Sequence, residues 1–250
     1  MDHVEKKSQA ASTTYALVAA MEAKDPFSKG HSAMVSRIVA SIGREMGLSE
    51  SVIQGLQIAA LLHDVGKIGV PGEVLNKPGR LTRVEWEMVK GHVEQGARIL
   101  HNVSFPWPVK TMVYQHHERL DGSGYPRGVW GEHIILEARI MAVADVFEAM
   151  TSHRPYRPAA SLEETLEHLQ QNAGTKFDPT VVSALLNVVA QEGKLVRPDA
   201  SGGMYIPPAS LDARPSNGTV HRRIQRRITR RVKSPTAMNR SARYAAKPLL

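Results

Sequence analysis

The chain has 250 residues, no cysteine and a formal net charge of +8. Without cysteine it has no disulfide, no thiolate metal ligand and no cysteine nucleophile, so a metal site must use histidine, carboxylate and water. The basic charge is confined to one part of the chain: residues 198–250 hold 11 Lys or Arg and two acidic residues, whereas residues 1–197 hold 21 basic and 22 acidic residues. The net charge is therefore no argument that the main domain binds nucleic acid.

The N-terminus does not lead into the apolar stretch of a signal peptide. No segment approaches the roughly 18 consecutive apolar residues of a membrane-spanning helix. We therefore expect a soluble protein that stays in the cytoplasm.

In the first part of the chain, apolar residues recur at helical spacing over 8–24, 28–46 and 49–62. Asp25-Pro26 predicts the end of the first helix, and Gly47 predicts the end of the second as a C′ glycine. Several Gly and Pro residues over 66–79 then predict a long irregular loop.

In the second part, Thr82 and Glu85 match a capping box that opens a helix with His92 in its middle. Further helices are predicted up to His116, over 137–150, after the capping box Ser161–Glu164 and after the N-cap pair Asp178-Pro179. Residues 121–126 are turn formers. No segment alternates as a strand does, so the sequence predicts an all-α, multi-helix bundle of about seven helices.

The most informative stretch is His63-Asp64-Val65-Gly66-Lys67, which closes the apolar run 55–62. Imidazole, carboxylate and ammonium groups are costly to bury without a partner or a metal. Adjacent helical residues point about 100° apart, so His63 and Asp64 can both face one cluster, while Lys67 lies one turn further on. The remaining candidate ligands are His31, His92, His116, His117 and Asp145.

A single buried histidine is more often a hydrogen-bonded core residue than a metal ligand. Five histidines and two aspartates at the ends or inner faces of separate helices form the mixed donor set that first-row metals need in the absence of thiolate. Because one carboxylate can bridge two ions, this set favours a binuclear site, which suits phosphoester hydrolysis. Lys67 is then a candidate to hold a water or a phosphate oxygen, although pairing with a surface acid is the more common role of a lysine.

These motifs resemble those of the HD-GYP domain, the branch of the HD phosphohydrolase superfamily that degrades the bacterial second messenger cyclic di-GMP. The match is collinear over roughly residues 15–190. Its parts are DPFSKGHS at 25–32, LLHDVGKIGVP at 61–71, KPG at 77–79, His92, HHERLDGSGYP at 116–126, AVAD at 142–145, RPYR at 154–157 and FDP at 177–179.

The resemblance implies a role for each matching residue. The implied metal ligands are His31, His63, Asp64, His92, His116, His117 and Asp145, with Asp64 as the bridging carboxylate. Lys67 matches the family's lysine near the scissile phosphate, so Asp64 and Lys67 are the expected catalytic residues. The implied substrate contacts are Gly124, Tyr125, Pro126, Arg154 and Arg157.

The sequence also departs from the family pattern. Phe27 stands four residues before His31, where some members carry a glutamate that holds a third metal, so we expect two metals here. Glu148 and His153 stand where aspartate is common. The family favours iron or manganese, whereas the ligand types alone suit cobalt and zinc as well.

The resulting hypothesis is a cytoplasmic, metal-dependent phosphodiesterase that hydrolyses cyclic di-GMP through pGpG to GMP. Three alternatives stay open: the same chemistry on another cyclic dinucleotide or nucleotide, a non-catalytic cyclic di-GMP sensor that signals through a basic tail, and a nucleic-acid-binding protein that relies on that tail alone.

The predicted organisation is an extension over 1–14, the HD-GYP domain over 15–195 and a basic, low-complexity, mostly disordered tail over 196–250. Within the tail, arginine pairs at 222/223, 226/227 and 230/231 recur every four residues, with Ile224, Ile228 and Val232 on the opposite side. A helix with this pattern suits an anionic membrane, nucleic acid or a protein partner. Repulsion between arginines four residues apart favours the alternative, a solvated tail.

Overall fold

The computed structural model describes residues 3–25, 28, 30–153, 158–192, 197–198 and 204–205. Their α-helices are α1 (His3–Lys24), α2 (His31–Glu45), α3 (Glu50–Leu62), α4 (Gly72–Leu75), α5 (Arg83–Lys90), α6 (His92–Ile99), α7 (Val109–Gln115), α8 (Leu136–Thr151), α9 (Leu162–Gln171) and α10 (Pro179–Glu192). Short 3₁₀ helices cover Val65–Gly69 and Gly131–His133. Two two-residue strands, β1 (Arg197–Pro198) and β2 (Met204–Tyr205), pair antiparallel. The predicted all-α class is confirmed.

Helices α2, α3 and α8 form the centre of the core. The apolar stripe of α2, which includes Val35, Ile38 and Ile42, packs against α3 and α8. Helix α8 buries residues on every side, so its sequence shows little amphipathic pattern. Because the site-bearing positions lie on or next to these central helices, the core holds them at fixed separations.

The helix boundaries largely follow the sequence signals. Gly47 has a φ of +73°, and the Leu48 amide donates to the Gly43 carbonyl at 2.9 Å, which is the predicted glycine-terminated helix end. Both predicted capping boxes are present, at Thr82–Glu85 and Ser161–Glu164.

Two predicted boundaries are wrong. The helix expected to carry His92 in its middle is divided at Gly91, so that α5 ends at Lys90 and His92 is the first residue of α6. Glycine is a poor helix former, and the Val89 carbonyl accepts from the His92 side chain instead of continuing the helix. The loop expected over 66–79 contains a 3₁₀ helix and α4.

The predicted division of the chain stays a prediction. Helix α1 begins at His3, earlier than expected, and runs through the proposed boundary between 14 and 15. Most of the predicted tail over 196–250, including the arginine pairs, lies outside the described residues. In the part of the chain that the structure describes, no helix is both long enough and apolar enough to span a membrane.

Gly66 sets the distance between the first 3₁₀ helix and α6. A Cβ atom at this position would lie 1.8 Å from the His92 carbonyl oxygen and 2.5 Å from the Gly96 amide nitrogen. Both contacts are with backbone, which cannot rotate away. Only glycine therefore lets the turn that carries His63 and Asp64 lie against the start of α6.

We expect Gly66→Ala to lower the free energy of unfolding by about 3 kcal/mol, because the added methyl group overpacks a backbone contact. Gly72→Ala is the matched control, since a Cβ there meets only the Asn76 side chain at 4.0 Å. The control should stay within about 0.5 kcal/mol of the parent protein. Urea unfolding followed by circular dichroism measures both, and equal midpoints for the two variants would contradict this account of Gly66.

Candidate metal centre

The structure brings all seven predicted ligands together, from five helix ends or helices. His31 is the first residue of α2, and His92 is the first residue of α6. The others are His63 and Asp64 directly after α3, His116 and His117 directly after α7, and Asp145 within α8. Residues that are far apart in sequence thus converge at one place.

The ligand atoms form two groups joined by one carboxylate. In His31, His63 and Asp64 the possible ligand atoms lie within 4.8 Å of one another, and the same holds for His92, His116 and His117. Asp64 Oδ2 lies 3.3 Å from His63 Nε2 and 3.9 Å from His31 Nε2. Its other oxygen, Oδ1, lies 3.4 Å from His92 Nε2. The two oxygens of Asp64 therefore face different groups, as in a bridging carboxylate.

Asp145 adds a second carboxylate to the first group. Its Oδ1 lies 3.3 Å from His31 Nε2 and 3.8 Å from His63 Nε2. Burial alone would raise the pKa of Asp145, but the hydrogen bond from His31 and the field of His63 outweigh it and hold this pKa well below its usual value. The carboxylate is therefore in its anionic, ligating form.

Backbone carbonyls fix the tautomers of three histidines. In His63, His92 and His116, Nδ1 lies within hydrogen-bonding distance of the carbonyl three residues earlier. The distances are 2.7 Å to Ala60, 2.7 Å to Val89 and 2.6 Å to Val113. Because a carbonyl oxygen only accepts, Nδ1 must carry a proton in each of these rings, and Nε2 is the nitrogen that can act as a metal ligand.

Burial keeps two of these rings neutral. Desolvation lowers the pKa of His92 to about 4 and that of His116 to about 3. Nε2 of His92 and Nε2 of His116 are buried, and neither has a hydrogen-bond partner among the described residues. A buried, unpaired nitrogen is costly, whereas a cation can accept its lone pair. The donor set therefore fits divalent metal ions.

His31 is oriented differently from the other three. Its Nδ1 bonds to the carboxylate of Glu148, which is buried and also accepts from Ser152 Oγ at 2.7 Å. A carboxylate behind an imidazole fixes the ring and raises its basicity as a ligand. In the sequence, Glu148 stands out only as a departure from the family pattern. Its position three residues after Asp145, on the same face of α8, is the feature that could have indicated a place beside the metal ligands.

Lys67 points into the cluster and not to the surface. Its Nζ lies 2.8 Å from Asp64 Oδ2 and 3.9 Å from Asp25 Oδ2, and the residue is only 6% exposed. Burial would raise the pKa of Asp64, but Lys67 and the neighbouring His63 hold it well below its usual value. The ammonium is thus fixed beside the carboxylate that joins the two groups.

The loop after α7 borders the cluster on one side. The Tyr125 amide donates to the His117 carbonyl at 3.3 Å, and the two rings lie 4.6 Å apart. A Cβ at Gly124 would lie 2.4 Å from Glu118 Cα, so only glycine allows this approach. Pro126, whose peptide bond is cis, follows directly.

Two residues of α5 extend this border, and the sequence analysis assigned neither to the site. The Trp86 ring lies 6.3 Å from the Tyr125 ring, nearly perpendicular to it, and Lys90 Nζ lies 5.7 Å from the same ring. Their spacing of four residues places them on one face of α5. The capping box, which marks the start of this helix in the sequence, was the signal that could have shown this.

Four further residues were singled out in the sequence. Arg154 and Arg157, two of the predicted substrate contacts, lie outside the described residues, as does Phe27. His153 is exposed, and its Nδ1 accepts from the Ala159 amide at 3.4 Å.

The chain is similar in sequence to an HD domain family model and to bacterial phosphodiesterases. Residues 16–181 match the family model described as HD domain. The chain is 41% identical over 178 residues to 3'3'-cGAMP-specific phosphodiesterase 3 of Vibrio cholerae, which covers 69% of this chain and 38% of that protein. It is 40% identical over 193 residues to the cyclic di-GMP phosphodiesterase response regulator RpfG of Xanthomonas campestris, which covers 76% of this chain and 50% of that protein. The chain thus spans half the length of these relatives or less.

Solved structures show the same fold. A cyclic GMP-AMP-specific phosphodiesterase of V. cholerae superposes with a TM-score of 0.56 at 22% identity, over 92% of this chain and 62% of that one. The HD domain of the phosphodiesterase PgpH of L. monocytogenes, in complex with cyclic di-AMP, superposes with a TM-score of 0.54 at 19% identity, over 72% of this chain and 97% of that one.

Asp64→Asn keeps the size of the side chain but removes the charge that both groups share. We expect the apparent dissociation constant for divalent metal to rise by more than about 100-fold, beyond the effect usual for an outer-shell partner. Metal analysis after dialysis against graded chelator measures this change. Glu50→Gln is the control, because it removes one negative charge from an exposed side chain in the first turn of α3, at the opposite end of that helix from His63. Equal metal retention in both variants would contradict the central position of Asp64.

Proposed function

The chain belongs to the HD domain family, and from this premise we propose that it is a metal-dependent phosphodiesterase that hydrolyses cyclic di-GMP through pGpG to GMP. The observation that carries the proposal is the carboxylate of Asp64, whose two oxygens face two separate groups of imidazoles. The relatives named as cyclic di-GMP phosphodiesterases in Xanthomonas campestris and Thermotoga maritima, at 40% and 41% identity, support the choice of substrate.

We assign two divalent ions, iron or manganese, to the two groups. One group is His31, His63, Asp64 and Asp145, and the other is His92, His116, His117 and the second oxygen of Asp64. When bound, such ions polarise a phosphoryl oxygen and make a water molecule more acidic.

The protein's own groups would position and stabilise the reacting phosphate. Lys67 donates to Asp64 and has further N–H groups that can reach a phosphate oxygen or the leaving oxygen. Because Lys67 and Asp64 are buried, little water competes for that interaction, and a fixed cation is most effective against developing charge in such surroundings.

The substrate would lie along the loop that carries Tyr125. The phenol ring beside His117 and the indole of Trp86 offer aromatic surface for a base at the edge of the metal cluster. Arg154 and Arg157 are proposed phosphate contacts on the strength of the motif match, and they lie outside the described residues. The proposal includes a cytoplasmic location, because the proposed substrate is a bacterial second messenger.

A second candidate substrate is 3'3'-cGAMP. It differs from cyclic di-GMP in one base, and a relative at 41% identity carries that specificity in its name. The reaction and the metal ligands would be the same, so the two candidates differ only in the contacts to one base.

We propose that the arginine pairs over 222–231 bind an anionic surface or a protein partner. The sequence pattern supports this assignment, and the segment lies outside the described residues.

Incubation of the anaerobically purified, metal-analysed protein with cyclic di-GMP and with 3'3'-cGAMP, followed by chromatography, tests the proposal. We expect linear dinucleotide to appear first and nucleoside monophosphate later, and we expect the Asp64→Asn variant to form neither. Cyclic di-GMP turned over faster than 3'3'-cGAMP supports the first assignment, and the reverse order supports the second. A protein with two metals per chain that cleaves neither contradicts both.

Lys67→Met should separate chemistry from metal binding. Removing the ammonium leaves all seven ligands in place, so we expect metal content to be retained while kcat falls by about 100-fold to 1,000-fold. Lys77→Met is the control, since Lys77 forms an ion pair with Glu85 at 2.7 Å on the neighbouring loop. A Lys67→Met enzyme with unchanged kcat would exclude a role for this ammonium in the reaction.

A further inference from the structure

A cleft with a volume of about 660 Å³ lies between α6 and α7, and none of the predicted metal ligands lines it. Arg98 of α6, Lys110 of α7 and Arg127 of the following loop line the cleft. Tyr114 of α7 also lines the cleft, and Glu94 is the one carboxylate among the lining residues. The proposed phosphodiesterase reaction uses none of these side chains.

The three cations of the cleft have no ion-pair partner in the described part of the chain. Other Arg and Lys side chains do form ion pairs there, among them Arg44, Lys67, Lys77, Lys90 and Arg139. Arg98, Lys110 and Arg127 therefore outnumber the one acid of the cleft by three to one. Like charges gathered in a concave surface raise the local positive potential and attract anions.

The size of the cleft and the side chains that line it indicate which class of anion it would bind. The volume falls within the range of about 300–1,000 Å³ that is typical of small-molecule sites, and it exceeds what a bare phosphate ion would fill. Arginine guanidinium groups match phosphate oxygens with two parallel hydrogen bonds. The Tyr114 hydroxyl, which accepts from Arg127 Nε at 3.3 Å, and the half-buried ring beside it provide polar and aromatic surface next to the charges.

We propose that this cleft is a second ligand site, which binds a phosphate ester of nucleotide size. The proposal concerns binding alone and does not depend on the reaction at the metal centre. Arg127 also connects the cleft to that centre, because its backbone amide donates to Glu118 Oε1 at 2.8 Å. Glu118 is 2% exposed and directly follows His117 in the chain. Through Arg127 and Glu118, a ligand in the cleft is therefore connected to the turn that carries two of the predicted metal ligands.

Phenylglyoxal modification of the metal-loaded, full-length protein tests the site directly, since Arg98 is exposed and reacts at its guanidinium. Peptide mass spectrometry gives the modification rate of each arginine with and without AMP as the probe, since adenine, unlike guanine, does not consume the reagent. We expect AMP to slow the modification of Arg98 and to leave exposed Arg37, on α2, unchanged. Adenosine, which lacks the phosphate, should protect neither arginine.

Lys110→Glu supplies the matched variant, because a glutamate in the first turn of α7 suits the helix dipole and should not disturb folding. We expect the AMP concentration for half-protection of Arg98 to rise by about tenfold or more. Lys176→Glu makes the same charge change on the loop between α9 and α10 and should leave protection unchanged. Equal Arg98 modification with and without AMP overturns the proposal. So does protection by adenosine, or protection that survives Lys110→Glu. None of these results depends on turnover of a cyclic dinucleotide.

Discussion

The metal centre depends on hydrogen bonds between three histidine side chains and the ends of three helices. The last carbonyls of a helix lack intrahelical partners. At the ends of α3, α5 and α7, an imidazole Nδ1 from His63, His92 or His116 satisfies one of them. The same bond fixes the position of the Nδ1 proton and leaves Nε2 to face the ligand cluster, with His63 in one group and His92 and His116 in the other. One local interaction, repeated three times, therefore both terminates helices and orients the predicted metal ligands.

Close backbone approach and charge balance complete the arrangement. Gly66 lets the turn after α3 lie against α6, and Gly124 lets the following loop lie against His117. Asp64 and Asp145 bring negative charge among these rings, and Lys67 compensates part of it. Buried carboxylates need nearby cations. Divalent ions between the two groups would provide the remaining positive charge, and this requirement joins the structure to the proposed chemistry.

Sequence reasoning predicted the all-α fold and identified all seven residues that converge, because helix caps, turn formers and the His-Asp motif are local signals. It placed His92 in mid-helix, since spacing alone does not show that a side chain will take the Val89 carbonyl and divide the helix. It also missed the contact between His31 and Glu148, which are 117 residues apart and meet only through the packing of α2 on α8. Trp86 fitted the helical pattern equally well as a core residue. The roles of the individual residues stay predictions.

The central claim is that Asp64 joins two metal positions. Anomalous diffraction from crystals of the manganese-loaded protein, recorded on both sides of the manganese absorption edge, tests it most directly. The account predicts two anomalous peaks per chain, one beside Asp64 Oδ2 with His31 and His63, and one beside Oδ1 with His92. A single peak, or two peaks that do not share Asp64, would contradict it.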